Sequence, residues 1–234
     1  MTRLMRRLIL AVVVSMGWVG AAAAVPTLEF TIPSQINTTV SYDGSLGGAL
    51  MGGSITVSSV TGTGTPSNSG VTATCVLCTL SFSTGGLTST TATSWIFGGG
   101  GSITLTGGVD FSDATDIATG TLLFSGSWSP SPTVLASGAT LKISAASFLD
   151  TKNAALRAYF GIPDGSALFG DLGLVFSGAG SPPGGFASTS ITGGLVTNAV
   201  SEPPVIALFG AMLVGLGIWG RKIRERGRPG GQDA

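Results

Sequence analysis

Side chains able to do chemistry are scarce in this chain, and the first informative fact is an absence: its 234 residues include no histidine. Without imidazole there is no Ser-His-Asp or Cys-His activation of a nucleophile, no His-ligated zinc or iron, and no ordinary proton shuttle near neutral pH. Serine–lysine chemistry would need Lys142 or Lys152 as its base, and neither closes a Ser-x-x-Lys motif. Three features remain: the pair Cys75-Val76-Leu77-Cys78, the aspartates Asp110, Asp113 and Asp116, and the aromatic residues Trp95, Phe97, Phe124 and Trp128.

The C-x-x-C spacing admits a redox pair, half of a metal site or a structural disulfide. A zinc site lacks two further ligands, and no βαβ unit is in view to set the thiols at a helix N-terminus. In an extended strand residues i and i+3 face opposite ways, so bridging Cys75 and Cys78 requires a turn at Val76-Leu77. In an oxidising compartment the expectation is a small local disulfide whose short loop adds little stability. Asp110, Asp113 and Asp116 recur at three-residue intervals and are read as a solvated acidic turn. The alternative is a metal site, because calcium accepts irregular cages of six to eight oxygens, although the EF-hand glycine and distal glutamate do not follow. A glycosidase would use two such carboxylates as acid and nucleophile, a test that any acidic loop passes. The tryptophans are read as core, with a sugar-stacking platform as the alternative. Gly98 to Gly101 lacks the Lys-Ser/Thr ending of a phosphate loop and reads as a hairpin connection. No cofactor is expected.

The elements that must position these groups follow a period of two. Leu28, Phe30 and Ile32 alternate with Glu29 and Thr31, Ile55 and Val57 with Thr56 and Ser58, and Leu80 and Phe82 with Thr79, Ser81 and Ser83. Further strands are expected at Ser102 to Thr106, Thr119 to Trp128, Thr140 to Ser144 and Leu172 to Phe176, bounded by turn residues. One short helix is expected around Ala154 to Ala158, capped by Asp150 or Thr151 and ended by Gly161 and Pro163. The reading is all-β: a single β-sandwich or jelly-roll-like domain over residues 25–180 with one short helix. Pro182-Pro183-Gly184-Gly185 then opens an expected flexible linker over 181–200.

Both ends read as export signals. Arg3, Arg6 and Arg7, the apolar stretch Leu8 to Val19 and the small residues Ala21 to Ala24 make residues 1–24 a signal peptide, a helix read by the bacterial secretion machinery. At the other end Ser201-Glu202-Pro203-Pro204 leads into the uncharged run Val205 to Gly220, which is followed by Arg221, Lys222, Arg224 and Arg226. Lipid accepts the apolar side chains while the cationic heads stay hydrated, so this is a membrane helix with a cytoplasmic basic stop. The run Val205 to Trp219 is 15 residues, roughly 22 Å of helix at about 1.5 Å per residue, short against the roughly 30 Å of hydrocarbon a permanent anchor crosses.

This layout resembles the PEP-CTERM sorting signal of exported bacterial proteins over residues 201–228. Ser201 stands where the first Pro of the Pro-Glu-Pro triplet belongs, and Glu202 and Pro203 match it. The resemblance implies processing by an exosortase-type membrane protease and a setting of exopolysaccharide and biofilm formation.

Once the ends are set aside, residues 25–200 hold only Lys142, Lys152 and Arg157 as cations against eight carboxylates, a net charge of −5. Nucleic acid and anionic lipid both need clustered Lys and Arg, so neither is expected as a partner. The expected function is non-enzymatic: a single-pass inner-membrane precursor that becomes a cell-surface or matrix protein, with extracellular polysaccharide as its surroundings. The alternative is a carbohydrate- or calcium-binding module.

Overall fold

The structure, a computed structural model, describes residues 25–200 apart from 113–114, 130 and 145–146. The signal peptide, the sorting motif Ser201, Glu202 and Pro203, the membrane run 205–220, the basic stop Arg221, Lys222, Arg224 and Arg226, and Asp113 all lie outside the described residues. Among the described residues no helix is long and apolar enough to cross a membrane.

The described chain is all-β with one helix. Its strands are β1 (Thr27–Ile32), β2 (Gln35–Ile36), β3 (Thr39–Tyr42), β4 (Ala49–Thr63), β5 (Thr72–Thr90), β6 (Ser94–Phe97), β7 (Gly100–Asp110) and β8 (Ile117–Trp128). After them come β9 (Thr133–Ser137), β10 (Thr140–Ser144), β11 (Ser147–Lys152), the helix α1 (Ala154–Phe160), β12 (Leu168–Ala179) and β13 (Phe186–Val200). The period-two segments named above all fall within strands, and Thr140 to Ser144 coincides with β10.

All the strands join one antiparallel sheet whose pairings return to their start. β1 pairs β4, β4 pairs β5, and the circuit runs on through β7, β8, β11, β12 and β13 back to β1. A second circuit shares the long strands β4, β5, β12 and β13 and is completed by β3, β6, β9 and β10. Each long strand therefore changes partner along its length, as β12 does between β11 at Leu168 to Asp171 and β10 at Leu174 to Ser177. A circuit that closes on itself leaves fewer unpaired strand edges to template aggregation.

The inward positions hold one continuous apolar core. Phe30, Phe124 and Phe148 stack at one level, with ring centroids 5.3 and 5.9 Å apart. Tyr42, Trp95, Phe97, Phe176 and Phe186 form a second aromatic group. Trp128 touches both Phe82 and Phe148 and joins the two. Outward positions carry mainly Thr, Ser and Gly, which solvate a strand face without long side chains.

Helix α1 lies against the β4–β5 connection, where Asn68 Nδ2 donates to the Tyr159 carbonyl at 2.8 Å and Tyr159 stacks on Phe111 at 3.9 Å. Its N-cap is Asn153, whose side chain accepts from Ala155 N at 2.9 Å, and Gly161 ends it with a left-handed φ of 70°. The cap is thus later than expected, because β11 runs on through Lys152 and takes Asp150 and Thr151 into the sheet.

The expected linker is corrected outright. Residues Phe186–Val200 are β13, which pairs with β1, β2, β3 and β12 and buries Phe186, Ile191, Val196, Asn198 and Val200. The Pro-Gly turn before it is pinned as well, since Trp95 Nε1 donates to Gly184 O at 2.9 Å. Glycine and serine enrichment had the look of a spacer, whereas the alternation Val196, Asn198, Val200 is that of a strand. A chain truncated after Gly185 is expected to lose its cooperative unfolding transition in a circular-dichroism melt; a truncated chain that melts like the parent would restore the linker.

Candidate functional site

The cysteine pair sits on β5 at a bulge. Leu77 has φ 52° and is 81% exposed, and the register of β5 against β7 slips between Val76 and Thr79. The extra residue turns the strand where a bridge would need it turned, so Cys75 and Cys78 both face the core. They are free thiols rather than the expected disulfide. Cys78 Sγ donates to Gly108 O at 3.2 Å, and Gly107 leaves the space in which Cys78 sits, since a Cβ there would lie 2.6 Å from its sulfur. The hydrogen bond to Cys78, reinforced by burial, pushes the Cys75 thiol well above its ordinary value. Such a thiol is a poor nucleophile.

Asp110 and Asp116 are both exposed and line a cavity of about 270 Å³ with Val76, Val109 and Ile117. Asp116 is already engaged as a turn cap, its Oδ1 accepting from Phe111 N at 2.9 Å. Among the described residues no group of three His, Cys, Asp or Glu side chains could hold a metal ion; the calcium reading includes Asp113, which lies outside them. Trp95, Phe97 and Phe124 have no exposed surface and Trp128 only 3%. Both indoles are satisfied internally, Trp95 by Gly184 O and Trp128 by Ser83 O at 2.8 Å.

The cluster with unusual chemistry is one the motifs did not mark. Strand alternation sends Phe148, Asp150 and Lys152 of β11 inward together. The Asp150 and Lys152 side chains have no solvent exposure and form an ion pair through Lys152 Nζ and Asp150 Oδ2. Asn198 of β13, also fully buried, donates from Nδ2 to the same oxygen at 2.9 Å. One carboxylate oxygen therefore receives hydrogen bonds from both an amine and an amide nitrogen.

Three strands cooperate to make this room. Asn198 is opposite Leu28 on β1 and Gly170 on β12, and a Cβ at Gly170 would lie 2.5 Å from Asn198 Nδ2 and 2.1 Å from the Phe148 ring. Gly126 of β8, opposite Asp150, is likewise empty where a Cβ would lie 3.0 Å from the Asp150 Cβ. Around the amine stand aromatic faces, with Nζ 4.5 Å from the Phe124 centroid and 5.4 Å from that of Phe30.

Burial drives both ionisations the same way, toward neutrality. Desolvation lowers Lys152 to about 8 against the pull of Asp150, and it raises Asp150 against the pull of Lys152. Asp150 Oδ1 and Asn198 Oδ1 are buried with no hydrogen-bond partner, and each orphaned acceptor costs about 1–3 kcal/mol. The arrangement is an amine, a carboxyl and a carboxamide held together with no solvent-exposed surface.

Comparison with known proteins returned no match among family models, curated proteins or solved structures.

Two expectations test this geometry. A maleimide should label neither Cys75 nor Cys78 in the native protein and both once it is unfolded without reductant; an unfolded chain with no free thiol would mean that they are bridged. In an Asn198→Ala variant, Lys152 and Asp150 still face each other. In the parent fold burial lowers Lys152 from 10.5 to about 8; with that burial kept, the unfolded state binds more protons between those values. Stability should therefore rise with pH across that window, by on the order of 1–3 kcal/mol in urea titrations. Adding Lys152→Met should remove the rise. Asp150, raised when folded, has the opposite sign: its contribution falls as pH climbs from 3.8 through the folded value.

Proposed function

We propose that this chain is a non-enzymatic exported protein of the cell surface or extracellular matrix, delivered by the bacterial secretion machinery and sorted by its PEP-CTERM-like tail. An exosortase-type protease would act near Ser201, Glu202 and Pro203 while residues 205–220 lie in the membrane. Exopolysaccharide would be the surroundings of the product.

The observation that carries this reading is the burial of Trp95, Phe97, Phe124 and Trp128. The tryptophans best suited to hold a sugar are spent on the core, and the outward positions carry mainly Thr, Ser and Gly with apolar residues such as Leu122, Leu149 and Phe169 among them. The sandwich or jelly-roll form belongs to the same proposal, supported by antiparallel circuits that wrap one core. A calcium- or carbohydrate-binding module is the second reading. Its support is the cavity shared by Asp110 and Asp116, and it lacks an aromatic partner there.

The fold also constrains processing. Val200 N donates to Pro26 O at 2.9 Å, so β13 is held to its last residue, immediately before Ser201. A protease cutting upstream of Val200 would have to unpick a strand bonded on both sides. Mass spectrometry of the mature protein should therefore find its C-terminus between Val200 and Pro204, and that terminus should disappear in cells lacking the sorting protease. A mature pool ending at Ala234 would instead make the tail a retained anchor.

A further inference from the structure

We propose that Lys152 and Asn198 condense within the folded protein to a covalent isopeptide bond, with Asp150 between them as the proton relay. The geometry carries the inference. Amine and carboxamide nitrogens both bond Asp150 Oδ2, so the reacting groups lie within two hydrogen bonds of each other in a site without water access. Holding two reactants on one shared oxygen supplies much of the barrier lowering that a bimolecular amidation lacks.

The chemistry balances without any added reagent. The neutral Lys152 amine attacks Asn198 Cγ with its lone pair, and the protonated Asp150 carboxyl donates to Oδ1 of the polarised carboxamide. In the structure Nδ2 faces Asp150, so a half-turn of the Asn198 amide presents Oδ1 to that proton for attack, and the reverse turn of the tetrahedral adduct returns Nδ2 to Asp150 for collapse. From the tetrahedral adduct a proton leaves Nζ, passes through Asp150 and reaches Nδ2. As the Cγ–Nδ2 bond breaks, the Oδ1 proton returns to Asp150, the carbonyl re-forms and the Nζ–Cγ bond remains. One ammonia is released, nothing is oxidised or reduced, and Asp150 ends protonated as it began. The low-dielectric site favours the two neutral forms this step needs, a free amine and an un-ionised carboxyl.

Topology gives the bond a purpose. β11 and β13 are not neighbours, since β12 lies between them. The link passes over Gly170, the position where β12 carries no side chain to block it. It would clasp β13 to an interior strand, two residues before β13 ends at Val200. Tension entering from the tail would then reach Lys152 through a covalent bond instead of peeling β13 from the sheet.

Intact-mass measurement on the purified, denatured full chain tests this directly. The protein should be lighter by one ammonia than its mapped termini require. After trypsin, the peptide that ends at Arg157 should remain joined to the one that starts at Ala158 through an uncleaved Lys152. Asn198→Ala and Lys152→Met should each restore the full mass and separate the peptides. Asp150→Asn should leave both partners present and unlinked. A folded wild-type protein of full mass that trypsin cuts after Lys152 overturns the proposal, whatever the variants do. So does an ammonia deficit without joined peptides, which would place the loss at another amide. The readout concerns the folded body alone, so it stands or falls separately from the sorting tail.

Discussion

Closure of the strand circuit is the constraint from which most of this molecule follows. Once the pairings return to β1, every inward position must be filled by a side chain or left empty for a neighbour's. The empty positions are glycines facing bulk: Gly52 beneath Phe82, Gly62 beneath Phe160, Gly170 beneath Phe148. At each, a Cβ would lie between 2.1 and 2.4 Å from the facing ring. The glycine content that looks like flexibility in composition is therefore in part the complement of a phenylalanine-rich core. The same constraint explains the bulge at Val76 and Leu77: an unbulged strand would turn one of the two cysteines outward, and the extra residue keeps both in the core while Leu77 is expelled.

Alternation made the strands legible wherever one face is apolar and the other hydroxylic. Phe30, Val57, Leu80 and Leu174 are on strands for the reason their spacing implies. The helix was legible too, through Ala154 to Ala158 and Gly161, but its cap was misplaced because Asp150 has the composition of a cap and the phase of a core residue. β13 was lost for a related reason. Phe186 to Val200 mixes Gly, Ser and Thr so freely that local composition outweighed the alternation, and only pairing with β1 and β12 decides the matter. Long-range partners of that kind are invisible to any window of local sequence.

The candidate cluster was illegible for a sharper reason. In sequence Lys152 is one of three cations and a base without its Ser-x-x-Lys motif, Asp150 reads as a helix cap and Asn198 falls in the expected linker, so no motif joins them. The signal that could have found them is polar residues on an apolar phase: Asp150 and Lys152 in step with Phe148, Asn198 in step with Val196 and Val200. The aromatic residues weighed as ligand contacts were in view, and two of them line the same interior: Phe124 meets the lysine, and Trp128 packs on Phe148 beside it.

Stability alone is a poor reason for a body with only three cations to bury the Lys152 side chain completely. A buried ion pair often contributes less than a well-packed apolar replacement, and here two acceptors are left unpaired besides. A purely structural Lys152 would be expected to have its remaining hydrogen-bonding neighbours satisfied, in place of aromatic faces and a carboxyl with one bare oxygen. Condensation turns the same three groups from a liability into a gain. Two charges and a primary amide become one neutral secondary amide and one carboxyl, each with the donor and acceptor the other lacks. The burial that is costly for the separate side chains is also what would shield the product from hydrolysis, so the feature that counts against an ion pair counts in favour of a cross-link.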